Sequence, residues 1–140
     1  MENIKNLRVY EKALIVVDMV NGFVREGVLH DDKIADVIPS QVKLIKEYLK
    51  DEQLVIFIKD THEEDAVEFK RFGNTKHCVK GTTEAELVDE LKVFEELENV
   101  ISIEKNSTVK FLLKFPFNFL REVTSELLKG NIKTNQGLVY

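Results

Sequence analysis

LVIFIKDTH, residues 54–62, is the stretch on which the fold turns. Leu54–Ile58 is continuously apolar, without alternation, and the chain then becomes charged at Lys59 and Asp60. A short run of that kind suits a strand buried on both faces, as in a parallel sheet. Two other runs share the form: ALIVV at 13–17 ends at Asp18, and a weaker one at 100–103 ends at Glu104 and Lys105. Helical patterns lie between them. After Pro39 and Ser40, the residues Val42, Ile45 and Leu49 fall on one helix face. Thr83 and Glu86 have capping-box spacing, which predicts a helix carrying Leu87, Leu91 and Phe94 as its apolar stripe. Strand, helix, strand, helix, strand predicts an α/β domain with a parallel sheet and right-handed crossovers.

Farther along, Phe111, Phe115, Phe117 and Phe119 crowd around Pro116. A helix is expected from about Asn118, with Leu120, Val123 and Leu127 as its stripe and Gly130 as its stop. The last ten residues, NIKTNQGLVY, hold no further buried strand by pattern. Three strands make a thin parallel sheet, so the expectation is an incomplete one. If the first strand is left at an edge, its uncharged Ala13–Val17 run invites association, poor solubility or dependence on a partner.

Composition narrows the function classes. The 140 residues fit one domain, and the net charge of -5 does not attract phosphate backbones or anionic lipid, so nucleic acid and membrane partners are set aside. Charges interrupt the N-terminal MENIKNLRVYEK, which does not read as a signal peptide, and no apolar run is long enough to span a bilayer. Cys78 is the sole cysteine, so no internal disulfide can form. These features give the expectation of a cytoplasmic protein. Neither GxGxxG nor a P-loop occurs.

In open α/β sheets, ligands bind beyond the carboxyl ends of the strands. All three predicted strands end in ionisable residues, Asp18, Asp60 and Lys105, which predicts a polar site there. Asp18 reads equally as the cap of a following turn. Asp60 and His62, two residues apart, face one side of an extended segment and are suitable ligands for zinc, manganese or iron. His77 could add a nitrogen from across the polar stretch 61–82, although a lone Asp-x-His is also a common surface pattern. Cys78 could be a nucleophile, but a lone cysteine is more often a small buried hydrophobe. If His77 faces a metal, its neighbour faces away.

These segments together resemble a known family. LIVVDMVNGF at 14–23, VIFIKDTH at 55–62, EFKRF at 68–72, HCVKGTTEAEL at 77–87 and IEKNST at 103–108 are similar, in order and with compatible spacing, to motifs of nicotinamidases and isochorismatase-like cysteine hydrolases. The resemblance covers about residues 11–112 of a single 1–140 domain, with 113–140 divergent. It implies a three-layer, Rossmann-like α/β fold with a parallel sheet lacking its last strands, and hydrolysis of a small amide such as nicotinamide through a cysteine thioester. By position it implies Asp18 as general base and acid and Lys105 as the catalytic lysine. Asp60, His62, His77 and, in some members, Glu68 would hold a divalent metal, zinc first, with manganese or iron as alternatives. Phe23 would line the pocket of a small-molecule amide substrate, and a homo-oligomer is left open. The family's tryptophan before its third ligand is replaced by Gly73-Asn74-Thr75-Lys76. Its nucleophile lies in a later G-x-x-T-x-x-C-V segment, and no cysteine follows Lys105. The expectation is therefore a truncated or frameshifted chain with little or no amidase activity. The alternative is a non-catalytic remnant that binds a metal or small molecule.

Overall fold

The computed structural model describes residues 10–71 and 73–105, together with strand segments 132–134 and 137–139. The three apolar runs become strands β1 (Ala13–Val17), β2 (Leu54–Asp60) and β3 (Val100–Lys105). They form one parallel sheet in the order β1-β2-β3. β2 lies in the middle and is buried almost throughout, as its unbroken apolar run requires.

β2 and β3 extend two residues beyond their apolar runs, so Asp60 and Lys105 are last-residue partners across the ladder. β1 stops one residue before Asp18, whose N–H donates to the Ile58 carbonyl at 2.9 Å. Asp18 has φ 59, a left-handed turn that aspartate tolerates better than most residues. The register thereby gathers the three strand-end residues at one level.

Helices α1 (Asn21–Val24), α2 (Ile38–Lys50), α3 (Val67–Arg71) and α4 (Asp89–Lys92) occupy the connections. α2 starts with Pro39 in its first turn, where the missing N–H removes no helical bond. Its Ile38, Val42, Ile45 and Leu49 pack into the core with Val16, Val55, Phe57 and Val100 from one face of the sheet. Ile15, Val17, Ile56, Ile58, Ile101 and Ile103 line the opposite face.

The expected helix across 83–94 is corrected. Thr83–Ala85 is a single 3-10 turn, Glu86 is extended, and α4 begins only at Asp89. The backbone is engaged elsewhere: Asn21 N–H donates to the Glu86 carbonyl at 2.9 Å, and Val88 N–H to the Met19 carbonyl at 3.0 Å. Those bonds make a bridge between Val20 and Leu87 that a helix would break. The Thr83 hydroxyl bonds the Glu26 carboxylate instead of capping a helix. The polar 61–82 stretch is not wholly irregular, since α3 lies within it. Near the chain end, β4 (Ile132–Thr134) and β5 (Gly137–Val139) pair antiparallel as a separate two-stranded ribbon. The expected helix from Asn118 lies outside the described residues. Among the described residues, no helix is long and apolar enough to cross a membrane.

Candidate active site and metal centre

The strand ends deliver two acids and one ammonium to a common point. Lys105 Nζ lies 3.2 Å from Asp60 Oδ1 and 3.1 Å from Asp18 Oδ1. The first contact is a hydrogen bond; the second is at ion-pair distance but outside hydrogen-bond alignment. Lys105 and Asp60 are buried, while the Asp18 side chain keeps 32% exposure. Burial raises the Asp18 carboxyl above its ordinary value, and the attraction and hydrogen bonding of Lys105 oppose it. The nearby Asp60 charge adds to the rise and His62 reduces it. A partly open carboxyl that holds its proton more readily than usual is suited to taking up and returning one.

The other oxygen of Asp60 faces two imidazoles. His62 Nε2 lies 2.8 Å and His77 Nε2 3.5 Å from Asp60 Oδ2. Both rings are buried, and their centroids are 4.8 Å apart. His77 arrives by an added strand-like contact. His62 N–H donates to the Cys78 carbonyl at 2.9 Å, and Lys80 N–H to the His62 carbonyl at 2.7 Å, which lays residues 77–80 along the continuation of β2.

The donor set fits a divalent metal. One donor atom each from Asp60, His62 and His77 lie within 4.8 Å of one another. The His77 Nδ1 is 3.0 Å from the Thr75 carbonyl, so Nδ1–H donates there and Nε2 keeps a lone pair for coordination. His62 Nδ1 is buried without a hydrogen-bond partner among the described residues, so its pairing with Asp60 rests on Nε2 alone. Three nitrogen and oxygen donors with open positions match a catalytic rather than a closed structural zinc site. Glu68, half-buried in α3, stands outside this group.

Aromatic rings wall the centre. The half-buried Phe23 of α1 lies 5.9 Å from the His77 ring. Phe69, which the sequence reading did not single out, is 4% exposed and lies 5.3 Å from both His62 and His77. The available signal was a phenylalanine inside an otherwise polar stretch. Glu84 was also missed. Its carboxylate packs against Gly22 and Gly27, where a Cβ on Gly27 would meet Glu84 Oε1 at 2.5 Å. Gly27 also has φ 90, so this close approach and this turn both need glycine.

Cys78 faces away from the metal donors. Its backbone turns through φ 47, and its side chain is fully buried against Gly22 in the core. Burial first, then the charges of Asp60, Glu84 and Asp18, push the thiol up to about 12. Only about one molecule in ten thousand would carry a thiolate at pH 8, by the Henderson–Hasselbalch relation applied to that value. An alkylating reagent at pH 8 should therefore leave the native chain unmodified and label it on unfolding. Rapid stoichiometric labelling of folded protein would contradict the burial.

A family model described as the Isochorismatase domain matches residues 12–116. Nicotinamidase 1 of Arabidopsis thaliana is 33% identical over 89 residues, covering 59% of this chain and 35% of that protein. Among solved structures, a pyrazinamidase of Pyrococcus horikoshii in complex with zinc has a TM-score of 0.57 and 30% identity, covering 69% of this chain and 52% of that one. An N-carbamoylsarcosine amidase from Thermoplasma acidophilum has a TM-score of 0.59 and 22% identity over 86% of this chain and 78% of its own, a likeness of fold. The chain thus spans about a third of the plant protein and about half of the archaeal pyrazinamidase.

Proposed function

The chain belongs to the isochorismatase-domain family, and from that premise we propose that its strand-end cluster is the base, lysine and metal portion of a nicotinamidase-like amidohydrolase site. The observation that supports this is the sharing of one carboxylate: Asp60 Oδ1 bonds Lys105, which neighbours Asp18, while Asp60 Oδ2 faces His62 and His77. Substrate chemistry follows from the relatives' names, which point to small heteroaromatic carboxamides such as nicotinamide and pyrazinamide.

Asp60, His62 and His77 would hold the divalent ion, with zinc favoured by the two-histidine, one-carboxylate set. Bound there, the ion supplies a Lewis acid that accepts a lone pair from a ring nitrogen of the substrate. Phe23 and Phe69 bound the space with rings that exclude water from that contact. Asp18 is placed to take a proton from an attacking group and return it to departing ammonia. Lys105 opposes negative charge as it develops on the substrate oxygen or on a thiolate. With neutral imidazoles, Asp18, Asp60 and Lys105 carry a formal charge of −1 + −1 + 1 = −1. A dication would make the centre net positive and favour an anionic group within it.

The nucleophile is the part this chain does not present. Cys78 is its only cysteine, buried in the core with its thiol raised to about 12. The chain by itself is therefore a metal- and amide-binding site of this family without turnover. The test is ammonia release from nicotinamide and other small amides, with added zinc or manganese. The expected result is no release above the protein-free blank. Robust turnover that persists in Cys78→Ala would refute the missing-thiol account, whereas turnover lost in that variant would make Cys78 the nucleophile.

A further inference from the structure

Among the described strands, β1 is an edge strand, and its composition leaves that edge unprotected. Natural edges usually carry a charge, a proline or a bulge that blocks pairing with another chain. Ala13–Val17 carries no charge and no proline. The Asp18 N–H points toward β2. In a parallel strand, alternate residues direct both backbone groups to the same side, so Leu14 and Val16 also face β2 and Ala13, Ile15 and Val17 face outward. None of those three outward N–H groups bonds another described residue outside the sheet.

The side chains tell the same story. On the sheet face opposite α2, Ile56, Ile58, Ile101 and Ile103 are buried, yet their neighbours Ile15 and Val17 are 38% and 45% exposed. On the α2 side, Val37 and Leu44 are 45% and 43% exposed. They share a helical stripe with Tyr48, whose ring lies 4.8 Å from the ammonium of Lys12 at the start of β1. That contact sets the stripe on the flank of α2 toward β1.

We propose that this edge pairs with the same edge of a second copy of the chain, antiparallel about a two-fold axis at Ile15. The geometry is self-complementary. Centring on Ile15 sets Ile15 opposite Ile15 and Ala13 opposite Val17, and all three outward residues then fall at positions that exchange both backbone hydrogen bonds. The same register places Lys12 of one copy beside Asp18 of the other, so opposite charges meet at both ends. An axis perpendicular to the sheet keeps both α2 helices on one side, where their Val37–Leu44 flanks meet. It also joins the four half-exposed Ile15 and Val17 side chains on the other side. Stable interfaces cover about 800 Å² per partner. A five-residue strand falls short of that alone, and the α2 flank extends it. Parallel stacking of β1 edges would not close by symmetry, whereas the two-fold does.

The test is molar mass by light scattering on the full chain over a concentration series, beside Ile15→Lys and Ile15→Glu. The parent should approach twice the chain mass. Each variant, with two like charges facing across the axis, should be monomeric, and an equimolar mixture of the two should recover the dimer. A parent that stays monomeric, an oligomer unchanged in Ile15→Lys, or folded variants that do not pair when mixed would each overturn the proposal. Should either variant unfold, hydrogen exchange on the parent decides. Protection of the Ala13, Ile15 and Val17 amides that fades on dilution supports the pairing, and its absence or its independence of concentration refutes it. Neither readout involves metal or amide, so failure here leaves the proposed function standing.

Discussion

Replacing Asp60 by alanine should strip the protein of divalent metal, lowering affinity by more than about 100-fold, since loss of a supporting partner alone costs 10–100-fold. The residue is the hub of the centre: it bonds Lys105 at 3.2 Å and lies 2.8 Å from His62 and 3.5 Å from His77. Its removal also leaves buried Lys105 with Asp18 alone. Breaking a buried pair costs about 3–5 kcal/mol, and the remaining contact places this loss near the lower end. Asp60→Asn separates the two effects, because it keeps the shape and a hydrogen-bond acceptor while removing the charge. Metal content after dialysis and urea midpoints give both readings. Equal metal retention in Asp60→Ala and the parent would remove the site assignment.

Phe57→Ala should have the largest effect on folding itself. Phe57 is fully buried in the middle strand, on the sheet face covered by α2, and belongs to the main core cluster. Truncating a buried phenylalanine loses transfer energy and leaves a cavity, together about 3–5 kcal/mol. Against a total of about 5–15 kcal/mol for a domain, that leaves a marginal fold. Urea unfolding followed by circular dichroism should show a much lower midpoint or no cooperative transition. A loss below about 1 kcal/mol would mean that this sheet face is not where the core lies.

The polar end of the sheet was legible because it depends on local pattern alone. Each apolar run ends where its strand ends, and parallel strands in register finish at one level. Asp18, Asp60 and Lys105 therefore converge without any knowledge of the loops. His77 was harder to place. It joins the others through the pairing of His62 with Val79, a contact between segments that no local periodicity announces. The helix expected across 83–94 failed for a related reason. Thr83 and Glu86 have the spacing of a cap, but the Glu86–Val88 backbone is spent on residues 19–21, far away in sequence. Phe69 and Glu84 went unnoticed because their roles, a ring beside two imidazoles and a carboxylate against two glycines, exist only once the loops have closed.

The burial of Cys78 follows from its neighbour. His77 and Cys78 are adjacent, so turning one toward the metal donors sends the other into the core, and the left-handed Cys78 backbone completes that division. The same turn that helps assemble the metal set thus removes the sole thiol from the chemistry.

Titrating the metal-free chain with cobalt(II), an absorbing substitute for zinc, tests the central claim most directly. The account predicts visible ligand-field bands that saturate at one equivalent, without an intense near-ultraviolet thiolate band, because two imidazoles and a carboxylate supply the donors. Bands no stronger than those of cobalt in water, or a thiolate band that disappears in Cys78→Ala, would contradict it.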